Sequence, residues 1–590
     1  MSELVSYKAG ANQKLVYSRL TGALAFLPHS TMQILWNCQS LKTLDEHASS
    51  VSQKLGCEPY QQNAVRAELD RLVKSGFLIR SFDLLEQARS TVSDSNKTRI
   101  SAVCIPTKNR PQALAKSLEG FANCASNFGH DMRFFVADQS DEEAVRNANL
   151  EILRKVKSTY NVDCFYGGFR EKEELASRLS DHVGAPLEHV RFAVLNEEAC
   201  PLAVGANRNA LLLATAGSML LQTDDDTECK LLPSPMRSDE LQFSDEHIPL
   251  QMRFLSESEA SDRSDQGEEM DVFALHEALL GKSITDFQAD VASSSKDQTT
   301  LSYFAGRGPK KVAASFLGAY GIATIGTSYY FLIMEGARDN LVRSEDVFRY
   351  AMKEHQIEWF CSSPIITNRP FSSSMSLGLD NTDVLPPFAP VQRNQDGIFG
   401  MLLSSCAFGF KGYQPWMLRH SHEGRSYDPS LLKKFVSGVR FNDMLLSLIE
   451  EISPKCIHPD PLRNLKSIGQ ALIDWGESPE RDFSELLRFI VSRHASWQIE
   501  TLDKLLSEHS MQPDYWAKEV EMCAKAIREA VLRKRYFVPS DLAAHFGETD
   551  AAILTQRLVR RFGNLLKIWP DLHCGAKELL KEGWEPFIRV

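Results

Sequence analysis

From residue 99 onward, short apolar runs alternate with longer segments of helical periodicity, and this alternation restricts the fold more than any other feature of the sequence. Helices are predicted from Pro111, from Asp141 and across "NRNALLLATAG". The predicted strands are "RISAVCIP", "MRFFVAD", "VDCFYGG", "VRFAVLN" and "SMLLQTDDD". Such alternation is typical of a largely parallel sheet with helices on its faces. We therefore predict a multidomain α/β protein whose central domain spans residues 99–430.

The residues before this domain predict a small module. Residues 14–28 alternate apolar and polar side chains about Thr21-Gly22, which is a hairpin pattern. Three helical segments follow, with Ser30 and Thr43 as candidate N-caps and Gly76 as a stop, and "FLIRSF" is a predicted closing strand. Residues 1–88 therefore predict a winged-helix-like module, which a polar linker at residues 89–98 joins to the central domain.

Three further stretches complete the predicted organisation. Residues 431–590 carry helical periodicity to the end and predict a helical C-terminal domain. The Ser-, Asp- and Glu-rich stretch at about residues 236–270 is predicted to be a mobile insertion. Residues 312–334 are uncharged and long enough to cross a bilayer, but several glycines dilute their hydrophobicity. We predict a buried strand and loop there, and no membrane span.

Composition limits the partners and the compartment. The net charge of -11 argues against a protein that binds nucleic acid or anionic membrane. The twelve cysteines contain no C-x-x-C pair, and no secretory signal follows Met1. We expect reduced thiols and a cytoplasmic location.

Three adjacent aspartates, Asp224, Asp225 and Asp226, end the predicted strand "SMLLQTDDD". Ligands of open parallel sheets gather at the carboxyl ends of strands. Carboxylate oxygens suit Mg²⁺ or Mn²⁺, and such an ion is normally shared with phosphate oxygens. The pattern predicts the protein half of a metal–diphosphate site. An isolated triple aspartate is also compatible with a solvated acidic turn.

The order and spacing of "ISAVCIPTKNRPQALAKSLEGF", "VADQSDEE" and "VGANRNALLLATAGSMLLQTDDD" resemble the nucleotide-sugar-binding half of family 2 glycosyltransferases with the GT-A fold. The resemblance implies a metal-binding D-x-D pair at Asp224 and Asp226. It also implies a nucleotide-diphosphate sugar as donor, with Mn²⁺ or Mg²⁺ as cofactor. The implied donor contacts are Pro106, Thr107, Asn109, Arg110, Asp138, Arg208, Asn209 and Asp225.

The acceptor side of the same family is similar to "PPFAPVQRNQDGIFGMLL", in which Asp396 stands where the family has its catalytic base. Gln395 replaces the usual glutamate of the pair. Asp396 could instead cap the helix that follows and complement its dipole. In the same family a histidine in the region of "MLRHSHEGRSYD" binds the metal or the diphosphate, and an Arg or Tyr after it contacts the leaving group. The resemblance therefore implies His420 or His422 as a ligand and Arg425 as that contact, although two histidines near a chain turn are also common without a role.

Two tryptophans, Trp359 and Trp416, could stack on a sugar ring, although buried core aromatics are the commoner explanation.

Residues 12–82 resemble a PqqD-like domain, the leader-peptide recognition element of enzymes that modify ribosomally made peptides. The similarity lies in "VYSRLTGALAFLPHSTMQILWNC", "TLDEHASSV" and "VRAELDRLVKSGFLI". It implies that a precursor peptide binds as an extra strand against the hairpin edge. A DNA-binding winged helix is the alternative, but residues 1–85 show no obvious basic face.

The sequence as a whole predicts an inverting, metal-dependent glycosyltransferase that modifies a Ser, Thr or Cys side chain of a bound precursor peptide. Two alternatives remain. One is a glycosyltransferase that acts on a saccharide or lipid acceptor. The other is a winged-helix regulator that senses a sugar nucleotide without turnover. The C-terminal region is expected to pack on the central domain or to form a homo-oligomer.

Overall fold

The computed structural model describes residues 4–18, 21–38, 42–80, 83, 99–244, 248–264, 266–287, 311–322, 335–421, 436–456, 458–533 and 536–590. Within these ranges the protein is a mixed α/β structure with an N-terminal three-stranded sheet, a large central sheet and a helical C-terminal region. None of the helices in these ranges is long and apolar enough to cross a bilayer.

The N-terminal module is a three-stranded antiparallel sheet with three helices packed against one face. Its elements are β1 (Leu4–Lys8), β2 (Gln13–Ser18), β3 (Leu24–Pro28), α1 (His29–Trp36), α2 (Leu44–Lys54) and α3 (Gln62–Lys74). The predicted hairpin is β2–β3, and β1, which was not predicted, pairs with the other edge of β2. Val16, Leu27, Leu69 and other apolar side chains form a core between the sheet and the helices.

The predictions of helix caps and of a closing strand in this module are only partly confirmed. Thr43 caps α2, as predicted, and Glu46 completes a capping box. The prediction for Ser30 is wrong, because α1 begins one residue earlier, at His29, directly after Pro28. The described residues of "FLIRSF", 77–80, form no strand. The N–H groups of Phe77 and Leu78 instead bond the carbonyl of Leu72 and finish the preceding helix.

The central sheet comprises thirteen strands among the described residues. The strands of the N-terminal module are not part of it. The thirteen strands are β4 (Ile100–Thr107), β5 (Arg133–Asp138), β6 (Asp163–Gly167), β7 (Met219–Thr223), β8 (Thr227–Pro233), β9 (Gln242–Phe243), β10 (Gln251–Phe254), β11 (Val312–Ile322), β12 (Gln356–Phe360), β13 (Ile365–Thr367), β14 (Ser376–Asp380), β15 (Phe410–His420) and β16 (Ile588–Arg589).

Helices cover both faces of the central sheet and form the C-terminal region. The central helices are α4 (Pro111–Asn127), α5 (Glu143–Tyr160), α6 (Phe169–Val183), α7 (Leu187–Val194), α8 (Val204–Ala214), α9 (Glu257–Ser264), α10 (Val272–Glu277), α11 (Arg338–Leu341), α12 (Glu345–Glu354) and α13 (Gln395–Ser405). The C-terminal helices are α14 (Phe441–Ile452), α15 (Pro461–Glu477), α16 (Glu480–Glu508), α17 (Asp514–Val531), α18 (Ser540–Phe546) and α19 (Glu548–Lys581).

The sheet has two halves of different construction. The parallel half consists of β6, β5, β4 and β7 in that spatial order, and all three of its pairings are parallel, as the sequence predicted. The mixed half consists of β14, β11 and β15 together with β8 to β10, β12 and β13. It begins where β14 pairs antiparallel with β7. Within it, β11 and β15 are parallel, and β8 pairs antiparallel with β15.

One strand prediction for the central domain is wrong. The run "VRFAVLN" is not a strand: Leu187–Val194 is a helix that begins after Pro186. A short apolar run fits the period of a buried helix as well as that of a buried strand. In addition, β7 pairs with the edge of β4 where this run would have to lie as a strand. The predicted mobile insertion at about residues 236–270 contains regular elements, because Gln251–Phe254 pairs with Gln356–Phe360 and Glu257–Ser264 is a helix.

The C-terminal region packs directly on the central domain. Apolar side chains of α14 to α19 belong to the same buried cluster as those of α7, α8 and α13. Trp569 of α19 is buried and donates from Nε1 to the carbonyl oxygen of Leu385 at 2.6 Å. The chain ends as β16, which pairs with β6 at the outer edge of the parallel half. The described helices of the C-terminal region therefore extend the core of the central domain.

Candidate active site

The three aspartates lie where the two halves of the central sheet meet. Asp224, Asp225 and Asp226 follow β7, the last strand of the parallel half. The pairing of β8 with β15 places Thr227 opposite His420. As a result, Asp224, Asp226 and His420 each offer a ligand atom, and these atoms lie within 4.8 Å of one another. Residues almost two hundred positions apart therefore form one cluster of candidate metal ligands.

Arg208 holds the first aspartate. This side chain is fully buried in α8, and its guanidinium contacts the Asp224 carboxylate. The same guanidinium donates to Gln222 Oε1 at 3.0 Å and to the carbonyl oxygen of Ser374 at 3.2 Å. Burial raises the pKa of Asp224, and the charge of Arg208 opposes that rise. Arg208 thus positions a carboxylate that burial alone would tend to neutralise.

Thr107 and Arg110 hold the other two aspartates from the end of β4. The Thr107 hydroxyl donates to Asp225 Oδ2 at 2.7 Å. Arg110 Nη1 lies 3.2 Å from Asp225 Oδ1 and 2.8 Å from Asp226 Oδ2. Burial and the neighbouring charge of Asp226 raise the pKa of Asp225 to about 7, although Arg110 and the Thr107 hydroxyl oppose the rise.

His420 ends β15 and faces Asp226. Its Nδ1 lies 2.5 Å from the carbonyl oxygen of Ile322, and its Nε2 lies 3.1 Å from Asp226 Oδ1. Burial opposes protonation of this imidazole, but the negative charges of Asp226 and Asp224 outweigh it and raise the pKa of His420 to about 9. A carbonyl bound to Nδ1 fixes the ring so that Nε2 points at the carboxylates.

A cavity of about 600 Å³ opens beside this cluster. Asp396, the second residue of α13, also lines it. The Asp396 carboxylate accepts from the Ser374 N–H at 3.2 Å and from the Ser374 hydroxyl at 3.4 Å. The N-cap position of α13 belongs to Asn394, so Asp396 lies in the first turn of the helix and does not cap it. Asp396 and the candidate metal cluster therefore share one cavity.

Most of the residues that were predicted to contact the nucleotide-sugar donor lie together at this cavity. Its lining includes Pro106, Thr107, Asn109, Arg110, Asp224, Asp225, Asp226, Asp396 and His420. Trp359 also lines it and stacks on Phe371 with ring centroids 5.3 Å apart, whereas Trp416 packs in the core. His422 and Arg425 lie outside the described residues.

Three predicted contacts do not reach the cavity. Asp138 is buried, and its carboxylate accepts from the Ser140 N–H, the Asn149 side chain and the Tyr166 hydroxyl. These bonds join β5, α5 and β6, so the role of Asp138 in the structure is internal.

Asn209 bonds the backbone of Ala193 and Phe388. Arg208 contacts the site through Asp224 and the carbonyl oxygen of Ser374. Both side chains therefore organise the protein around the cavity, and neither lines it.

Sequence reasoning missed two residues of the site. Ser374 orients Asp396, and Arg440 lines the cavity from the start of α14, where it also pairs with Asp443 at 2.6 Å. Neither residue belongs to a recognisable motif. The position of Arg440 in the helical C-terminal region gave no signal, because nothing in the local sequence shows that α14 packs against α13.

Comparison with known proteins yields no assignment for this arrangement. No protein-family model matches the chain, and no curated protein matches it either.

Proposed function

We propose that the protein is a metal-dependent glycosyltransferase that moves a sugar from a nucleotide-diphosphate sugar to an acceptor. The observation that carries this proposal is the grouping of Asp224, Asp226 and His420 beside a cavity of about 600 Å³ that Asp396 also lines. A volume of this size is typical of small-molecule sites.

The residues present fit a bound Mn²⁺ or Mg²⁺. Two carboxylates and one imidazole are suitable ligands, and the carbonyl at Nδ1 of His420 leaves Nε2 as the nitrogen available for a metal. Three carboxylates face two arginines, Arg110 and Arg208, so a divalent ion would leave a net positive site. Such a site suits an anionic diphosphate. When bound, the metal would neutralise charge on the departing diphosphate.

Asp396 supplies the base in this proposal. Two donors from Ser374 orient one carboxylate oxygen, which keeps the group fixed at the cavity. Asp396 takes the proton of the acceptor hydroxyl or thiol as the acceptor atom bonds the anomeric carbon. The bond from that carbon to the diphosphate oxygen breaks in the same step, so a single displacement inverts the configuration.

We propose that the acceptor is a Ser, Thr or Cys side chain of a ribosomally made peptide held by the N-terminal module. β3 pairs with β2 on one edge, and no other strand among the described residues pairs with β3. Leu24 and Phe26 of this strand are 63% and 62% exposed. A peptide added along β3 would gain main-chain hydrogen bonds and apolar contacts with these two side chains.

The deciding experiment measures Mn²⁺ binding and donor turnover in the full chain. The purified protein is titrated with Mn²⁺ and then incubated with a panel of nucleotide sugars, with nucleoside diphosphate release as the readout. We expect Mn²⁺-dependent release in the wild type and loss of both signals in Asp226→Ala. Asp239→Ala is the control, because its carboxylate is 88% exposed and lies outside the cavity.

The alternative outcomes separate the rival functions. Sugar-nucleotide binding without release would favour the non-catalytic sensor. Full activity of Asp226→Ala, or of the wild type in excess chelator, would contradict the metal site.

A second experiment tests recruitment. Phe26→Ser should weaken modification of a ribosomally made precursor peptide and leave donor hydrolysis unchanged. Tyr60→Ser, which alters another exposed aromatic residue of the module, should change neither. Equal modification by Phe26→Ser and the wild type would move the acceptor toward a saccharide or lipid.

A further inference from the structure

A second cavity, of about 460 Å³, lies between α4 and β8. It shares no lining residue with the cavity of the candidate active site. Its walls bring together two cysteines, Cys124 of α4 and Cys229 of β8, and both are free thiols. The proposed glycosyl transfer uses neither residue, so the pair needs its own explanation.

The two thiols are neighbours in the wall of this cavity. Cys124 and Cys229 are hydrogen-bonded to each other, and the Cys124 sulfur also lies 3.4 Å from the carbonyl oxygen of Met270. Gly120, one helical turn before Cys124, allows the approach of β8. A Cβ at Gly120 would lie 3.3 Å from the Cβ of Cys229, which is tighter than an ordinary contact. The packing of a glycine against Cys229 thus brings the two sulfur atoms together.

We propose that Cys124 and Cys229 form a reversible disulfide by exchange with a low-molecular-weight disulfide that enters this cavity. The Cys124 thiolate attacks one sulfur of the incoming disulfide and releases one thiol molecule. The Cys229 sulfur then attacks Cys124 in the mixed disulfide and releases the second. Two protein thiols become one disulfide, the incoming disulfide becomes two thiols, and the two protons pass to the released molecules.

The surroundings of Cys124 favour its role as the attacking sulfur. The hydrogen bond from Cys229 lowers the pKa of the Cys124 thiol, because it stabilises the thiolate, and a bond from the backbone of Val272 acts in the same direction. Burial and the charges of Asp271 and Glu269 oppose this shift without reversing it. The thiolate is the form that attacks a disulfide.

The new bond would join two elements that enter the candidate active site. α4 begins directly after Arg110, and β8 begins directly after Asp226. Arg110 and Asp226 form an ion pair at 2.8 Å. A covalent link between α4 and β8 would fix the spacing of these two residues and thereby alter metal affinity. This coupling rests on the proposed function, whereas disulfide formation does not.

The test uses the full chain in glutathione buffers of graded redox potential. Free thiols are then blocked with iodoacetamide, and the protein is digested without reductant. We expect a peptide pair linked through Cys124 and Cys229 that disappears on reduction. In Cys124→Ser and Cys229→Ser this pair is lost, whereas Cys574→Ser retains it, because Cys574 is an exposed cysteine on a distant helix. Thermal unfolding of each variant checks that the fold persists.

A second measurement separates this inference from the proposed function. Mn²⁺ affinity is compared between the reduced and oxidised wild type, with a difference of at least about fivefold expected. Both cysteines alkylated at every potential, while Cys574 carries glutathione, would overturn the disulfide. A linked pair with equal Mn²⁺ affinities would retain the disulfide and remove its coupling. Absence of Mn²⁺ binding in both forms would contradict the metal site alone.

Discussion

The two halves of the central sheet differ in how closely neighbouring backbone segments pack within each half. In the parallel half, β4, β5 and β7 contain no glycine, and β6 has only Gly167, at its end. In the mixed half, β11 contains two glycines, and β14 and β15 contain one each. A Cβ at Gly318 would lie 2.1 Å from the carbonyl oxygen of Trp359, and one at Gly378 would lie 2.4 Å from Ser315 Oγ.

This difference is reflected in the candidate site. The parallel half ends in a row of carboxylates held by Arg110, which follows β4, and by Arg208 of α8, the helix before β7. The mixed half contributes His420, which the pairing of β15 with β8 places beside Asp226, and Ser374, which precedes β14 and holds Asp396 of α13. We infer that the parallel half supplies the aspartates of the site. The mixed half then supplies the third candidate metal ligand, His420, and positions the candidate base, Asp396.

The largest expected effect concerns the contribution of the mixed half to chemistry. Asp396→Asn should lower sugar transfer by about two to four orders of magnitude, because the amide cannot take a proton from the acceptor. Mn²⁺ affinity should remain close to that of the wild type, since Asp396 is not among the grouped metal ligands. Transfer rates at saturating donor and a Mn²⁺ titration measure the two quantities.

Asp383→Asn is the matched control, because Asp383 is a 69% exposed aspartate just beyond β14. Donor affinity that collapses while turnover at saturation survives would make Asp396 a positioning residue.

The next effect concerns metal binding across the junction of the two halves. His420→Ala should weaken Mn²⁺ binding by at least about tenfold, since one ligand of three is lost while Asp224 and Asp226 remain. Asp226→Ala should weaken it further. Electron paramagnetic resonance of Mn²⁺ gives both affinities. Equal affinities in His420→Ala and the wild type would limit His420 to neutralising the charge of Asp226.

Glycine content also explains how far the fold could be predicted. The strands "ISAVCIPT", "RFFVAD" and "MLLQT" carry continuous apolar character, so their boundaries and parallel order were predictable from periodicity. The buried strand predicted within residues 312–334 is confirmed as β11, Val312–Ile322. In β15, by contrast, Gly412 and Pro415 interrupt the pattern, and such residues normally argue against a central strand. Both strands are nevertheless buried in the middle of the sheet.

The candidate site follows the same division. The aspartates and Arg110 were predictable, because local chain direction places them at one edge of the sheet. Asp138 was predicted on the same reasoning, but it turns inward because Asn149 and Tyr166 offer donors there. Ser374 and Arg440 could not be predicted, since their proximity to Asp396 or the cavity depends on tertiary packing alone.

A smaller effect tests the close packing of the mixed half. Gly318→Ala should reduce the free energy of unfolding by about 1 to 3 kcal/mol, because its Cβ would meet a backbone carbonyl that cannot rotate away. Gly336→Ala is the control, since no atom lies within 4 Å of the added Cβ. Urea denaturation gives both values. A Gly318→Ala protein as stable as the wild type would show that β11 and β12 can separate at little cost.

The smallest effect, expressed per pH unit, concerns two buried lysines: Lys411 of β15 in the mixed half and Lys172 of α6, whose Nζ donates to the carbonyl oxygen of Asp138 in the parallel half. Burial lowers the pKa of Lys411 in β15 from 10.5 to about 7 and that of Lys172 in α6 to about 8. Between the folded pKa and 10.5 the unfolded chain binds a proton that the folded chain does not, so stability rises with pH there, by up to about 1.4 kcal/mol per unit for each lysine. Below the folded pKa both states are protonated, and the full cost of burying the charge is present.

Lys411→Met should flatten the rise of stability with pH from about pH 7 upward, and Lys172→Met only from about pH 8. Denaturation series from pH 6.5 to 9.5 distinguish the two windows, and identical pH profiles for Lys411→Met and the wild type would mean that Lys411 keeps its charge inside the mixed half.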